Sequence, residues 1–245
     1  MKYILSIWLV FMVATAAMGA DGTAVRYEVG GQAYEGYYIS PSAKAPLVVL
    51  IHDWDGLTDY EVKRARMLAD SGYAVFAADL FGAGVRPTEV KDRRQHTGEL
   101  YKDRNKMRAL MNGALETAAQ QGARIDNAVA AGYCFGGAAV LEWARSGAGL
   151  KGFVTFHGGL KTPEGQDYSQ TAGSLLILHG SADSAITMDQ FAALANELEA
   201  AGVHHEMITY GGAQHAFTVF GGSRYQEDAD KKSWKRFQEF LAATL

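Results

Sequence analysis

Six consecutive residues, Gly132-Tyr133-Cys134-Phe135-Gly136-Gly137, constrain the fold of this chain more than any other stretch. They follow an apolar run, 128–131, that reads as a buried strand, and precede Ala-Ala-Val-Leu-Glu-Trp, which reads as a helix. A strand that turns directly into a helix through Gly-x-Cys-x-Gly must fold very tightly. Glycines two residues on either side of the cysteine permit that turn without Cβ clashes. The turn lifts the Cys134 side chain above the sheet edge and aims the N–H of Phe135 toward any charge that develops beside it. Cys134 is the only cysteine in the chain. An isolated cysteine in an apolar stretch is commonly a small buried hydrophobe, but the glycine frame between strand and helix favours a nucleophile.

The remaining pattern alternates strands with helices. Strands are expected at 25–29, 33–39, 47–51, 73–78, 127–133, 152–156, 174–178 and 205–210. Helices are expected at 60–71, 101–121, 188–201 and 225–241, and 82–97 reads as a polar loop or lid with some helix. Gly30-Gly31 is a hairpin signal, so the first two strands should be antiparallel. The continuous apolar strands that follow suit a parallel sheet covered on both faces. The fold class is therefore α/β, with a mostly parallel central sheet, helices on both faces and an antiparallel N-terminal hairpin. With the cysteine elbow, this is the α/β-hydrolase fold.

At 245 residues, 48% apolar and 20% charged, the chain can bury one large core. Residues 21–245 read as a single domain. A net charge of −4 without a basic block argues against nucleic acid as a partner. Residues 1–20 combine Lys2, a short apolar stretch and a small-residue exit, the pattern of a signal peptide. The expected location is secreted or periplasmic, without stable membrane insertion after cleavage; an uncleaved membrane anchor is the alternative. In an oxidising compartment an idle thiol is a liability, which favours a use for Cys134.

A thiol needs a base, and the base needs an orienting group. In hydrolase order, Cys134 is followed by Asp183, just past one strand, and by His215, just past the last. Phe135 and Trp54 N–H groups are the candidate oxyanion donors, the latter from the loop His52-Asp53-Trp54-Asp55-Gly56. Tyr133, Phe81 and Phe217 flank these positions and are candidates for a substrate pocket. His179, His157 and His52 read as supporting residues. His204-His205 lacks ligand-spaced partners, so neither a metal nor another cofactor is expected.

Gly-Tyr-Cys-Phe-Gly-Gly, together with Phe156-His157-Gly158-Gly159, His179-Gly180-x-x-Asp183 and His215-Ala216-Phe217, resembles the dienelactone hydrolase family. The resemblance implies a Cys-His-Asp triad that cleaves a small-molecule ester or lactone through an acyl-enzyme. It also implies that an acidic side chain of the early loop meets the cysteine at rest. Asp53 occupies that position, where the family's well-known members carry glutamate. The arginine that some members carry shortly after the histidine, to hold a substrate carboxylate, has no counterpart before Arg224. A non-catalytic ligand-binding protein of the same fold and a redox thiol are the competing expectations. Oligomeric state has no signature in the sequence.

Overall fold

A computed structural model describes residues 21–245; the expected signal segment, 1–20, lies outside the described residues. Eight strands form one sheet in the order β1-β2-β4-β3-β5-β6-β7-β8. These are β1 (Thr23–Val29), β2 (Gln32–Ile39), β3 (Pro46–Ile51), β4 (Ala74–Ala78), β5 (Arg124–Tyr133), β6 (Gly152–Phe156), β7 (Ser174–Gly180) and β8 (His205–Tyr210). β1 and β2 pair antiparallel, as do β2 and β4. From β4 through β3 and β5 to β8 every pairing is parallel. This is the α/β-hydrolase fold with its antiparallel start.

Side-chain alternation along the strands divides the core into two layers. Leu47, Val49 and Ile51 face one cluster, and Val48 and Leu50 face the other. The first face is covered by α3 (Arg104–Gln120), α4 (Phe135–Arg145) and α5 (Met188–Ala201), through residues such as Met107, Leu110, Trp143 and Leu194. The second is covered by α1 (Asp59–Asp70) and α6 (Glu227–Thr244), through Leu68, Phe237 and Leu241. Helices on both faces explain why β3 and β4 carry uninterrupted apolar sequences.

The region before α3 departs from the sequence expectation. Residues 82–89 form a loop, but Val90–Lys102 is a regular helix, α2. The expected helix at 101–121 is divided at Asp103, whose side chain accepts the N–H of Lys106 at 2.9 Å and starts α3 anew. The helical character of α2 was hidden by its charge. Its buried residues are Thr97 and Leu100, and it offers no apolar stripe.

Candidate active site

The elbow is formed by close backbone approach. Cys134 sits at φ 48°, ψ −109°, between the end of β5 and the start of α4. A Cβ on Gly132 would lie 2.3 Å from the Gly136 backbone, and one on Gly136 would lie 2.4 Å from the Ile51 carbonyl oxygen. Glycine at both positions lets α4 start directly against β3 and β5. The non-glycine described residues with positive φ are Cys134, His157 and Ala216, and all three lie at this site. Such strain persists where the surroundings over-determine the backbone, and it concentrates at functional sites.

Three loops at the carboxyl ends of parallel strands converge on the cysteine. His215 Nε2 lies 3.1 Å from Cys134 Sγ, and His215 Nδ1 lies 2.7 Å from Asp183 Oδ2. Ionised Asp183 can only accept, so Nδ1 carries the proton and Nε2 faces the thiol with a lone pair. Asp183 Oδ1 accepts the N–H groups of Ala185 and Ile186, both at 2.9 Å. Burial pushes the Asp183 carboxyl up, but the hydrogen bonds from His215 and these amides outweigh it and hold its pKa below the usual value. His179 Nε2 meets the Ile186 carbonyl at 2.9 Å and closes the same loop.

The other candidates are distributed as follows. Phe135 N–H points at the sulfur and favours its charged form. Trp54 N–H donates instead to its neighbour's carboxylate, Asp53 Oδ1, at 2.5 Å. That amide is therefore occupied until the Asp53 side chain turns away. Asp53 lies against the Cys134 thiol, so the shorter carboxylate does reach the sulfur. Burial, followed by the charge and hydrogen bond of Asp53, pushes the thiol well above its usual pKa. Burial likewise raises Asp53 to about 6, against the opposing bond from Trp54 N–H.

Phe81 packs its ring against His52, His96 and Phe135 at the site's edge. Tyr133 and Phe217 are fully buried beneath the triad, Tyr133 stacked on Phe156 and Phe217 edge-on to His157. They support the strand ends from below. His52 accepts the Leu80 N–H at Nε2 and donates from Nδ1 to the Asp53 carbonyl, which fixes the early loop.

Comparisons with known proteins give the family of the chain. The family model described as "Dienelactone hydrolase family" matches residues 34–245. The chain belongs to the dienelactone hydrolase family. A Salmonella typhimurium protein provisionally named a carboxymethylenebutenolidase is 24% identical over 219 residues, covering 84% of this chain and 81% of that protein. The crystal structure of P91, a dienelactone hydrolase-like promiscuous phosphotriesterase from metagenomic libraries, is 31% identical with a TM-score of 0.86. That match covers 92% of this chain and 99% of P91. A structure titled m3DLH is 32% identical with a TM-score of 0.87, over 93% of this chain and 99% of its own. As a member of this family, the protein is a hydrolase of ester or lactone bonds.

Sequence reasoning missed two features that this hydrolase places at its site. The first is Glu61, fully buried, which accepts the Asp53 N–H at 3.2 Å and the Thr58 N–H at 2.8 Å. Its signal was present as the capping box Thr58-Asp59-Tyr60-Glu61 at the start of α1. The second is a cavity of about 420 Å³ beside the elbow, with Tyr101, Ala138, Gly159 and Ile186 among its walls. Arg104, Arg145 and Lys161 also line it, against one carboxylate, Glu164. Behind them the buried Glu142 carboxylate binds Arg104, Arg145 and Arg108. Hydrogen bonds from these arginines overcome its burial and keep its pKa low. One buried carboxylate shared by three guanidiniums leaves the region with surplus positive charge. Among the described residues no group of three or more His, Cys, Asp or Glu side chains could hold a metal ion, and no helix is long and apolar enough to cross a membrane.

Proposed function

We propose that this hydrolase cleaves a carboxylic ester or lactone through a thioester formed on Cys134. The observation that carries the reading is the single imidazole of His215, placed between Asp183 Oδ2 at 2.7 Å and Cys134 Sγ at 3.1 Å. In the resting site the sulfur keeps its proton, because burial and the Asp53 carboxylate both oppose the thiolate. Substrate displaces Asp53 from the sulfur. His215 Nε2 then takes the thiol proton while Sγ attacks the carbonyl carbon. Asp183 holds the imidazole in the required tautomer and stabilises the imidazolium. Phe135 N–H receives the oxyanion, joined by Trp54 N–H once the Asp53 carboxylate has left it. The tetrahedral species collapses as His215 returns its proton to the leaving alkoxide. Water deprotonated by His215 then attacks the thioester, and the acid departs with the thiol restored. No step requires a cofactor.

The cavity beside the elbow accommodates the non-reacting part of the substrate, and its Arg104, Arg145 and Lys161 favour a carboxylate or another anionic substituent there. P91 is described as a promiscuous phosphotriesterase, so phosphotriesters belong in the same screen. We also propose export directed by residues 1–20, to be checked by N-terminal sequencing of protein recovered from a periplasmic extract. The test of function is hydrolysis of a short-chain nitrophenyl ester by the mature protein beside Cys134→Ala, with mass spectrometry of the quenched enzyme. Turnover with an acyl adduct confined to Cys134 supports the mechanism. Equal rates in both proteins would overturn it, and binding of esters without turnover would favour a non-catalytic ligand-binding role.

A further inference from the structure

The triad orients His215 through Asp183, but a second ring also holds this imidazole. His157 packs edge-on against His215, with ring centroids 5.3 Å apart and planes at 63°. His157 is fully buried and adopts φ 42° at the end of β6. Its Nε2 lies 2.8 Å from Thr218 Oγ1, three residues past His215. Thr218 Oγ1 also lies 2.8 Å from Tyr60 Oη, on α1. Tyr60 Oη in turn accepts from Arg64 Nε at 3.2 Å. Arg64 Nη2 donates to the Thr218 carbonyl at 2.9 Å and pairs with Asp230 of α6.

The first member of this chain has a fixed role. A guanidinium only donates. Tyr60 Oη therefore accepts from Arg64 and has its own proton to place. Thr218 Oγ1, at 2.8 Å, and the neighbouring Tyr133 hydroxyl are the groups beside it. Thr218 Oγ1 meets His157 Nε2, and His157 Nδ1 is buried without a partner, so this one bond decides which ring nitrogen carries the proton. The same residue anchors the turn that carries the base, because Arg64 also holds the Thr218 main chain. That turn needs an anchor, because Ala216 occupies left-handed backbone at φ 65°.

We propose that the chain Arg64–Tyr60–Thr218–His157 positions His215, fixing its neighbour as a neutral ring in one tautomer and tying the 215–218 turn to α1. The proposal rests on the thiol–imidazole reading of the site. The groups facing His157 are His215 and Asp183 from the loops, His179 from β7, and the Tyr133 phenol from β5. Burial, then the charge of His215, drives His157 well below the ordinary histidine pKa, consistent with a ring that stays neutral while its partner becomes cationic. Thr218 and Tyr60 need not meet substrate, so both are positioning residues.

The only cysteine supplies the readout. Alkylation of Cys134 by iodoacetamide, followed from about pH 5 to about pH 9, reports the thiolate that His215 supports. Thr218→Val removes the relaying hydroxyl at nearly constant shape, Tyr60→Phe interrupts the chain one residue earlier, and Thr218→Ser keeps it. Thr218→Val and Tyr60→Phe should move the profile midpoint upward by roughly half a pH unit or more and slow alkylation at neutral pH roughly three- to tenfold. Thr218→Ser should follow the parent. Side-chain nitrogen NMR should show His157 as a single neutral tautomer in the parent and as mixed tautomers in Thr218→Val. One common profile for all four proteins would overturn the proposal. So would Thr218→Ser falling as far as Thr218→Val, since packing rather than the hydroxyl would then be responsible. Alkylation does not require ester turnover, so failure of the esterase reading would appear in a different assay.

Discussion

Glu61 receives the main-chain N–H of Asp53 at 3.2 Å, so a carboxylate at the start of α1 holds the residue that lies against the Cys134 sulfur. Both acids are buried, and burial raises Asp53 to about 6 and Glu61 to about 7. In the unfolded chain both titrate near 4. Between these limits the folded protein binds more protons than the unfolded one, so stability falls as pH rises through that window. The thermal midpoint should therefore be higher near pH 5 than near pH 8. Glu61→Gln should flatten the dependence, at a general cost from the altered cap of about 1 kcal/mol. Melting curves across pH for parent and variant check this, and a parallel pH dependence in the two would remove Glu61 as its source.

Asp53 has a separate consequence for reactivity. After burial, its charge is the next largest influence keeping the proton on Cys134. Asp53→Asn removes that charge while keeping a side chain of the same size. Alkylation of Cys134 just above neutral pH should then accelerate by about tenfold, because more of the sulfur is thiolate. Ester turnover need not rise with it, since a less basic thiolate is a weaker nucleophile and is expelled more readily from the tetrahedral intermediate before the alkoxide leaves. An unchanged alkylation rate would mean that Asp53 does not restrain the sulfur.

The backbone of the elbow can be tested without chemistry. A methyl group on Gly136 would meet the carbonyl oxygens of Ile51 at 2.4 Å and His52 at 2.5 Å, neither of which can move without shifting β3. Gly136→Ala should cost about 3 kcal/mol or prevent folding. Gly149→Ala is the matched control, with no atom within 4 Å of the added Cβ. It should change stability by no more than about 0.5 kcal/mol. Chemical denaturation of the two variants separates a local packing requirement from a general intolerance of alanine.

The contrast between elbow and α2 shows which parts of this site are legible in sequence. The Gly-x-Cys-x-Gly turn is local: its glycines and apolar strand lie within a few residues and carry their own explanation. Asp183 and His215 are legible because each follows a strand in the required chain order. α2 is not, because what holds it over the site is tertiary. Arg93 lies over the Trp54 ring, His96 stacks on Phe81, and Tyr101 meets Phe135 edge-on. These contacts recur at helical spacing, but Arg93 and His96 are not apolar, so no hydrophobic stripe marks the helix. The position of Trp54 was readable, but the engagement of its N–H by the adjacent carboxylate depends on one rotamer of Asp53. The chain from Arg64 to His157 was equally hidden, since its members are distributed over α1, the end of β6 and the turn after β8.

The cationic wall of the cavity makes a prediction about substrate preference. Arg104 and Arg145 share the Glu142 carboxylate, while Lys161 lines the same cavity. An ester with a remote carboxylate should therefore be processed with a lower KM than a neutral ester of the same length. Lys161→Met removes one charge without disturbing the Glu142 cluster. It should raise KM for the anionic ester roughly two- to fivefold, a modest effect because the cavity is open to solvent screening. The neutral ester should respond little, and kcat should stay nearly constant for both, because a remote charge acts equally on ground and transition states. Measuring the pair of esters at low and high salt sharpens the test, since the preference should shrink as ionic strength rises. A KM increase of equal size for both esters would show that Lys161 shapes the cavity rather than reading charge.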